Sequence, residues 1–117
     1  MPAHLVLVHG SRLSSTQWAP QLPLLDGLVT VGLVDLPGHG VRAGEEFTLA
    51  RCVEVIDAAV GEAPAGSNVV LVGHSLGGFA AMSYAAERGS RLHGLVLAGC
   101  SASPVGPGAA IYRAVAQ

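Results

Sequence analysis

The sequence predicts an α/β fold, a mostly parallel sheet of about four strands with helices on both faces, and three observations predict it. Short aliphatic runs at 5–8 (LVLV), 29–36 (VTVGLVDL), 68–72 (NVVLV) and 95–98 (LVLA) are continuous, not alternating, which implies burial on both faces. Longer amphipathic stretches separate them, as strand–helix–strand crossovers require. Half of the 117 residues are hydrophobic and only 12% are charged, which supplies a core and excludes charge-driven disorder. The length suits one domain.

Each element has its own warrant. The first run leads into His9-Gly10-Ser11, a loop signal. In 15–26, Pro20 and Pro23 would interrupt a regular helix, so a short or kinked one is expected around Trp18. The second run ends in a sharp turn, Asp35-Leu36-Pro37-Gly38-His39-Gly40. Residues 48–61 read as a surface helix capped by Thr48, with Leu49, Val53, Ile56 and Val60 on one apolar stripe. Residues 76–88 are Gly, Ala and Met with almost no charge before the last turn, the helix expected nearest the sheet. From Ser101 onward a Ser/Pro/Gly loop precedes the first turns of another helix at 109–117.

Composition removes several function classes. Six Arg against five Glu and three Asp, net −2, give no basic field for nucleic acid. No apolar run approaches the about 18 residues of a membrane helix. Cys52 and Cys100 are too few for a disulfide framework and lack metal-site spacing, which points to a reducing compartment and a soluble, cytoplasmic protein. No metal or organic cofactor is implied.

One motif carries chemistry. Gly73-His74-Ser75-Leu76-Gly77 matches GxSxG directly after a buried strand and at the opening of a helix. A serine there occupies a strained turn with small flanking residues, and the Leu76 amide at the helix start can donate to a developing oxyanion. The competing readings are a glycine-rich tight turn and a phosphate loop. The chain has no lysine for the phosphate-loop pattern, and Gly38-His39-Gly40 lacks the further glycine of a dinucleotide fingerprint. The Ser11 amide is the candidate second oxyanion donor.

Residues 6–10 (VLVHG), Trp18, the turn 35–40 and the stretch 73–78 (GHSLGG) together resemble the N-terminal half of the α/β-hydrolase superfamily. The likeness is narrowest to its small serine esterases, among them the pimeloyl-acyl-carrier-protein methyl ester, menaquinone-pathway and haloperoxidase-like groups. It implies a partial α/β-hydrolase fold with local strand order 2-1-3-4, a catalytic Ser75, and 101–117 as the start of a cap or lid. It leaves Gly10, His74, Trp18 and Cys100 as candidate pocket residues, each with a packing alternative. A small-molecule ester or thioester would be the substrate.

The base is missing. The superfamily order is Ser, acid, His, and after Ser75 the sequence offers only Glu87 and His93, both expected at the opposite edge of the sheet. His9 and His39 are read as loop-fixing side chains, Asp35 as a turn carboxylate, and His4 as a residue preceding the first strand. Two hypotheses follow: the N-terminal part of a serine hydrolase that lacks its acid, histidine and cap, or a non-catalytic or partner-dependent truncated chain of the same fold. In the second, an open fourth strand without lysine or proline protection is a surface that invites pairing or aggregation.

Overall fold

The computed structural model describes residues 2–100; the expected loop and cap start at 101–117 lie outside them. Four parallel strands, β1 (Ala3–Val8), β2 (Thr30–Val34), β3 (Asn68–His74) and β4 (Gly94–Ala98), form one sheet in the order β2-β1-β3-β4. They are the four aliphatic runs, in the order the resemblance implies. Register pairs Val8 with Val34 on one side and with Gly73 on the other.

Strand order decides where the helices go. From β1 the chain steps one way to β2, then reverses across β1 to β3 and continues to β4. Right-handed crossovers therefore place the first connection on one face and the next two on the other. The second and third connections are α2 (Leu49–Gly61) and α3 (Leu76–Arg88), which pack on the sheet and on each other. Val6, Val8, Val34, Val69 and Leu71 meet Cys52, Val53, Val55, Ile56, Val60, Ala80, Ala81 and Tyr84 in this core.

The first connection is slighter. It consists of a 3-10 turn, Ser15–Trp18, and the four-residue α1 (Leu22–Leu25), with Pro23 in its first turn. The two prolines break the segment as expected. Its cover of the second face is thin: β3 alternates between buried and half-buried residues, and Leu33 and Val96 are 42% and 49% exposed.

Two details differ from the sequence reading. Helix α2 is capped by the Thr48 hydroxyl, which accepts from the Arg51 amide at 3.0 Å, but its buried face includes Cys52 and Val55 while Leu49 is 43% exposed. Leu49 stands in the first turn, over a shallow groove between α2 and α3 lined also by Ser83 and Glu87. His4 does not precede the first strand but lies within it, 5% exposed, its Nδ1 2.7 Å from the Thr30 hydroxyl. Gly32 makes room for that ring, because a Cβ there would stand 3.1 Å from His4 Nε2.

A polar cluster fastens α2 to α3. Asp57 on α2 accepts from the Tyr84 hydroxyl at 2.7 Å and pairs with Arg88 at 2.7 Å and with Arg91. Burial, then the Asp57 hydrogen bond, push the Tyr84 phenol up to about 12. The arginines are 45% exposed, so their pairs contribute about 0–1 kcal/mol each, whereas the fully buried Tyr84 needs its acceptor.

Candidate active site

The reversal of strand order at β1 puts a topological switch point at the carboxyl ends of β1 and β3, the place where open α/β sheets bind ligands. Two segments meet there: the loop His9-Gly10-Ser11 after β1, and Ser75 at the junction where His74 ends β3.

Ser75 joins β3 directly to α3. Its backbone is at φ 56°, ψ −115°, and only Arg12, at φ 61°, is another non-glycine residue of positive φ among the described residues. Such a conformation costs a side-chain-bearing residue about 1–3 kcal/mol and persists only where the surroundings impose it. They do so here through backbone bonds: the Ser75 amide donates to Ala98 O at 2.8 Å, and Ser75 O accepts from Gly78 and Phe79.

The flanking glycines are steric requirements. A Cβ at Gly73 would overlap the Gly77 carbonyl, and one at Gly77 would overlap the carbonyl oxygens of Val8 and His9. The start of α3 therefore lies directly against the end of β1. That contact brings Leu76 to the loop carrying Gly10 and Ser11, the two segments named for the oxyanion donors. Leu76 itself is fully buried.

The pocket candidates fall around this junction. The His74 ring lies over Gly10, where a Cβ would stand 2.9 Å from Nδ1. Cys100 Sγ sits where a Cβ on Gly78 would go, against the first turn of α3. Burial raises the Cys100 thiol, and burial takes Cys52 to about 12, so neither is a ready thiolate. Trp18 ends the Ser15–Trp18 turn, half-buried, with an indole nitrogen that has no partner among the described residues.

The histidines nearby are committed to scaffolding. The Leu36 amide, which can only donate, points at His9 Nε2 from 3.0 Å, so the proton is on Nδ1, which donates to Gly10 O at 2.7 Å. Burial is the main cause lowering the His9 pKa, a second reason for it to stay neutral. His39 Nδ1 is 2.9 Å from Pro37 O, and its ring lies 5.1 Å from that of His9. Asp35 receives the Ser15 amide at 2.8 Å and the Val41 amide at 3.2 Å. Burial alone would raise its pKa, but these amides outweigh it and hold the carboxylate low.

Among the described residues no base arrives from the far side. Val69 N–H donates to His93 Nδ1 at 3.0 Å, at the start of β3, while Ser75 follows its end. Six residues of extended chain put about 20 Å between them. Glu87 is in the last turn of α3, also remote from Ser75.

One residue of this edge escaped the sequence reading. The Gln17 carboxamide accepts from Gly10 N–H at 2.9 Å and reaches His74 Nδ1 at 3.0 Å. No local pattern signals it, because its partners are 7 and 57 positions away.

A parallel sheet in the order β2-β1-β3-β4, with helices packed on it and a strained serine opening α3, defines an open, doubly wound α/β protein. Residues 5–117 match the profile described as the alpha/beta hydrolase family, and the chain belongs to that family. It is 40% identical over 93 residues to the biotin biosynthesis bifunctional protein BioHC of Cellvibrio japonicus, covering 79% of this chain and 18% of that one. Against the pimeloyl-[acyl-carrier protein] methyl ester esterase of Proteus mirabilis it is 33% identical, covering 80% of this chain and 34% of the relative. Among solved structures, polyneuridine aldehyde esterase superposes with a TM-score of 0.71 at 30% identity, over 83% of this chain and 40% of the other. The chain thus spans about a third of the methyl ester esterase relatives. Among the described residues no helix is long and apolar enough to cross a membrane.

Proposed function

We propose that this chain carries the nucleophile half of a serine esterase site. Ser75 Oγ attacks the carbonyl carbon of a carboxylic ester, the Ser11 and Leu76 amides hold the oxyanion, the alcohol leaves with a proton, and water releases the acyl group. Each oxyanion donor contributes about 3 kcal/mol of transition-state stabilisation. The single observation that supports this most is the Ser75 backbone at φ 56°, held by bonds to Ala98, Gly78 and Phe79 at the start of a helix that lies against the end of β1. The methyl ester esterase relatives favour an ester over a thioester, and two free thiols, Cys52 and Cys100, favour a cytoplasmic setting.

The acid and the histidine of a triad are missing from this half-site, since His9 and Asp35 are bonded to loop amides and carbonyls and His93 is held at the opposite edge. Alone, the chain hydrolyses esters slowly at best. A fluorophosphonate probe with imidazole as external base tests the reading. Ser75 should be phosphonylated, faster with imidazole, and Ser75→Ala should abolish the product; modification at another residue, or unchanged labelling of Ser75→Ala, refutes it. The exposed β4 edge, with Leu95 at 39% and Val96 at 49% exposure, favours one further reading, a partner-dependent chain that pairs through this strand.

A further inference from the structure

We infer that Gln17 is a positioning residue that clamps the nucleophile turn to the oxyanion loop and fixes the tautomer of His74; this rests on the esterase reading above. Four hydrogen bonds link the carboxyl ends of β2, β1 and β3. Leu36 N–H donates to His9 Nε2 at 3.0 Å, and His9 Nδ1–H donates to Gly10 O at 2.7 Å. Gly10 N–H donates to Gln17 Oε1 at 2.9 Å, and Gln17 Nε2–H donates to His74 Nδ1 at 3.0 Å.

Donor chemistry fixes every direction. A backbone N–H can only donate, so Gly10 assigns Oε1 to its side of the carboxamide and turns the NH2 toward His74. His74 Nδ1 must then accept, and its proton resides on Nε2. Two side chains thus tie the strand ends together, His9 joining β2 to β1 and Gln17 joining β1 to β3.

Gln17 is held in place independently. Its 3-10 turn is anchored where Ser15 N–H meets Asp35 Oδ1 at 2.8 Å, so the carboxylate at the end of β2 sets the turn that carries the carboxamide. There are two consequences for the site. The Gly10 amide is consumed by Gln17, which leaves Ser11 as the donor from this loop. The His74 ring, adjacent in sequence to Ser75, is pinned over Gly10, so the loop and the nucleophile turn keep one spacing.

The test uses the 117-residue chain with two substitutions. Gln17→Glu retains an acceptor for Gly10 but presents only oxygen to His74; Gln17→Leu removes both bonds. Imidazole nitrogen-15 shifts should show the Nε2–H tautomer of His74 in the unsubstituted chain, Nδ1 protonation in Gln17→Glu, and a tautomer mixture in Gln17→Leu. Imidazole-assisted phosphonylation of Ser75 should slow about tenfold in Gln17→Leu, the equivalent of one hydrogen bond. An unchanged His74 tautomer in both variants, with Ser75 still labelled, overturns this inference and leaves the nucleophile reading standing. A responsive tautomer with an unchanged labelling rate reduces Gln17 to a scaffold residue and overturns its positioning role. No labelling of the unsubstituted chain overturns both readings.

Discussion

Replacing Ser75 by glycine should make the protein more stable. At φ 56° the serine is held where a side chain costs about 1–3 kcal/mol. Glycine removes that cost but adds about 0.4–1 kcal/mol of unfolded-chain entropy. The expected net gain is about 1 kcal/mol. With a urea dependence of about 1.5 kcal/mol/M for a domain of this size, the unfolding midpoint should rise by about 0.7 M, and the thermal midpoint by about 4–8 °C. Ser75→Ala is the necessary control, because it removes the hydroxyl while keeping the strained backbone, so the difference between the two variants isolates the strain. Urea melts followed by circular dichroism suffice. If Ser75→Gly is no more stable than Ser75→Ala, the turn is not strained and the argument for a nucleophile geometry loses its main support.

Three further outcomes are expected. Gly77→Ala places a methyl on the carbonyls of Val8 and His9, and should cost about 3 kcal/mol or prevent folding, read from the same melts; a neutral effect would contradict the close approach of α3 to β1. Burial lowers the His9 pKa below the ordinary 6.5, so the unfolded chain binds the proton first. The His9 contribution is therefore full above about pH 6.5 and is lost as pH falls from there through the folded value, and His9→Gln should flatten stability between pH 7.5 and 5.5; an unaltered slope would show His9 to be freely protonated. Val96→Lys on the edge strand should reduce any self-association seen by sedimentation velocity, and identical sedimentation of an associating parent and this variant would remove β4 as the pairing surface.

The sheet was legible in the sequence because each strand is a local aliphatic run, and the serine turn because its motif and flanking elements are contiguous. The roles of His9 and Asp35 were also within reach, since both stand at strand ends where loop amides need acceptors. Gln17 was not, because its importance arises only when β1 and β3 pair and bring residue 74 beside residue 10. The Asp57–Tyr84 bond was hidden for the same reason, linking two helices 27 positions apart. The uneven cover of the sheet was missed because continuous aliphatic runs report what a strand is built to bury, whether or not the described chain supplies the whole covering layer.

The pairing of β1 with β3 has a consequence for how the site comes into being. Val8 and Gly73 are partners although 65 positions separate them, and no nearer segment substitutes for either. Closing so long a loop is among the costly steps of assembling a parallel sheet. The loop after β1 and Ser75 acquire their relative placement only when that long loop closes, so no fragment lacking either strand can hold a weakened version of the proposed site. Reactivity at Ser75 would then serve as a probe of global folding, rising with the central strand pair and vanishing when it opens.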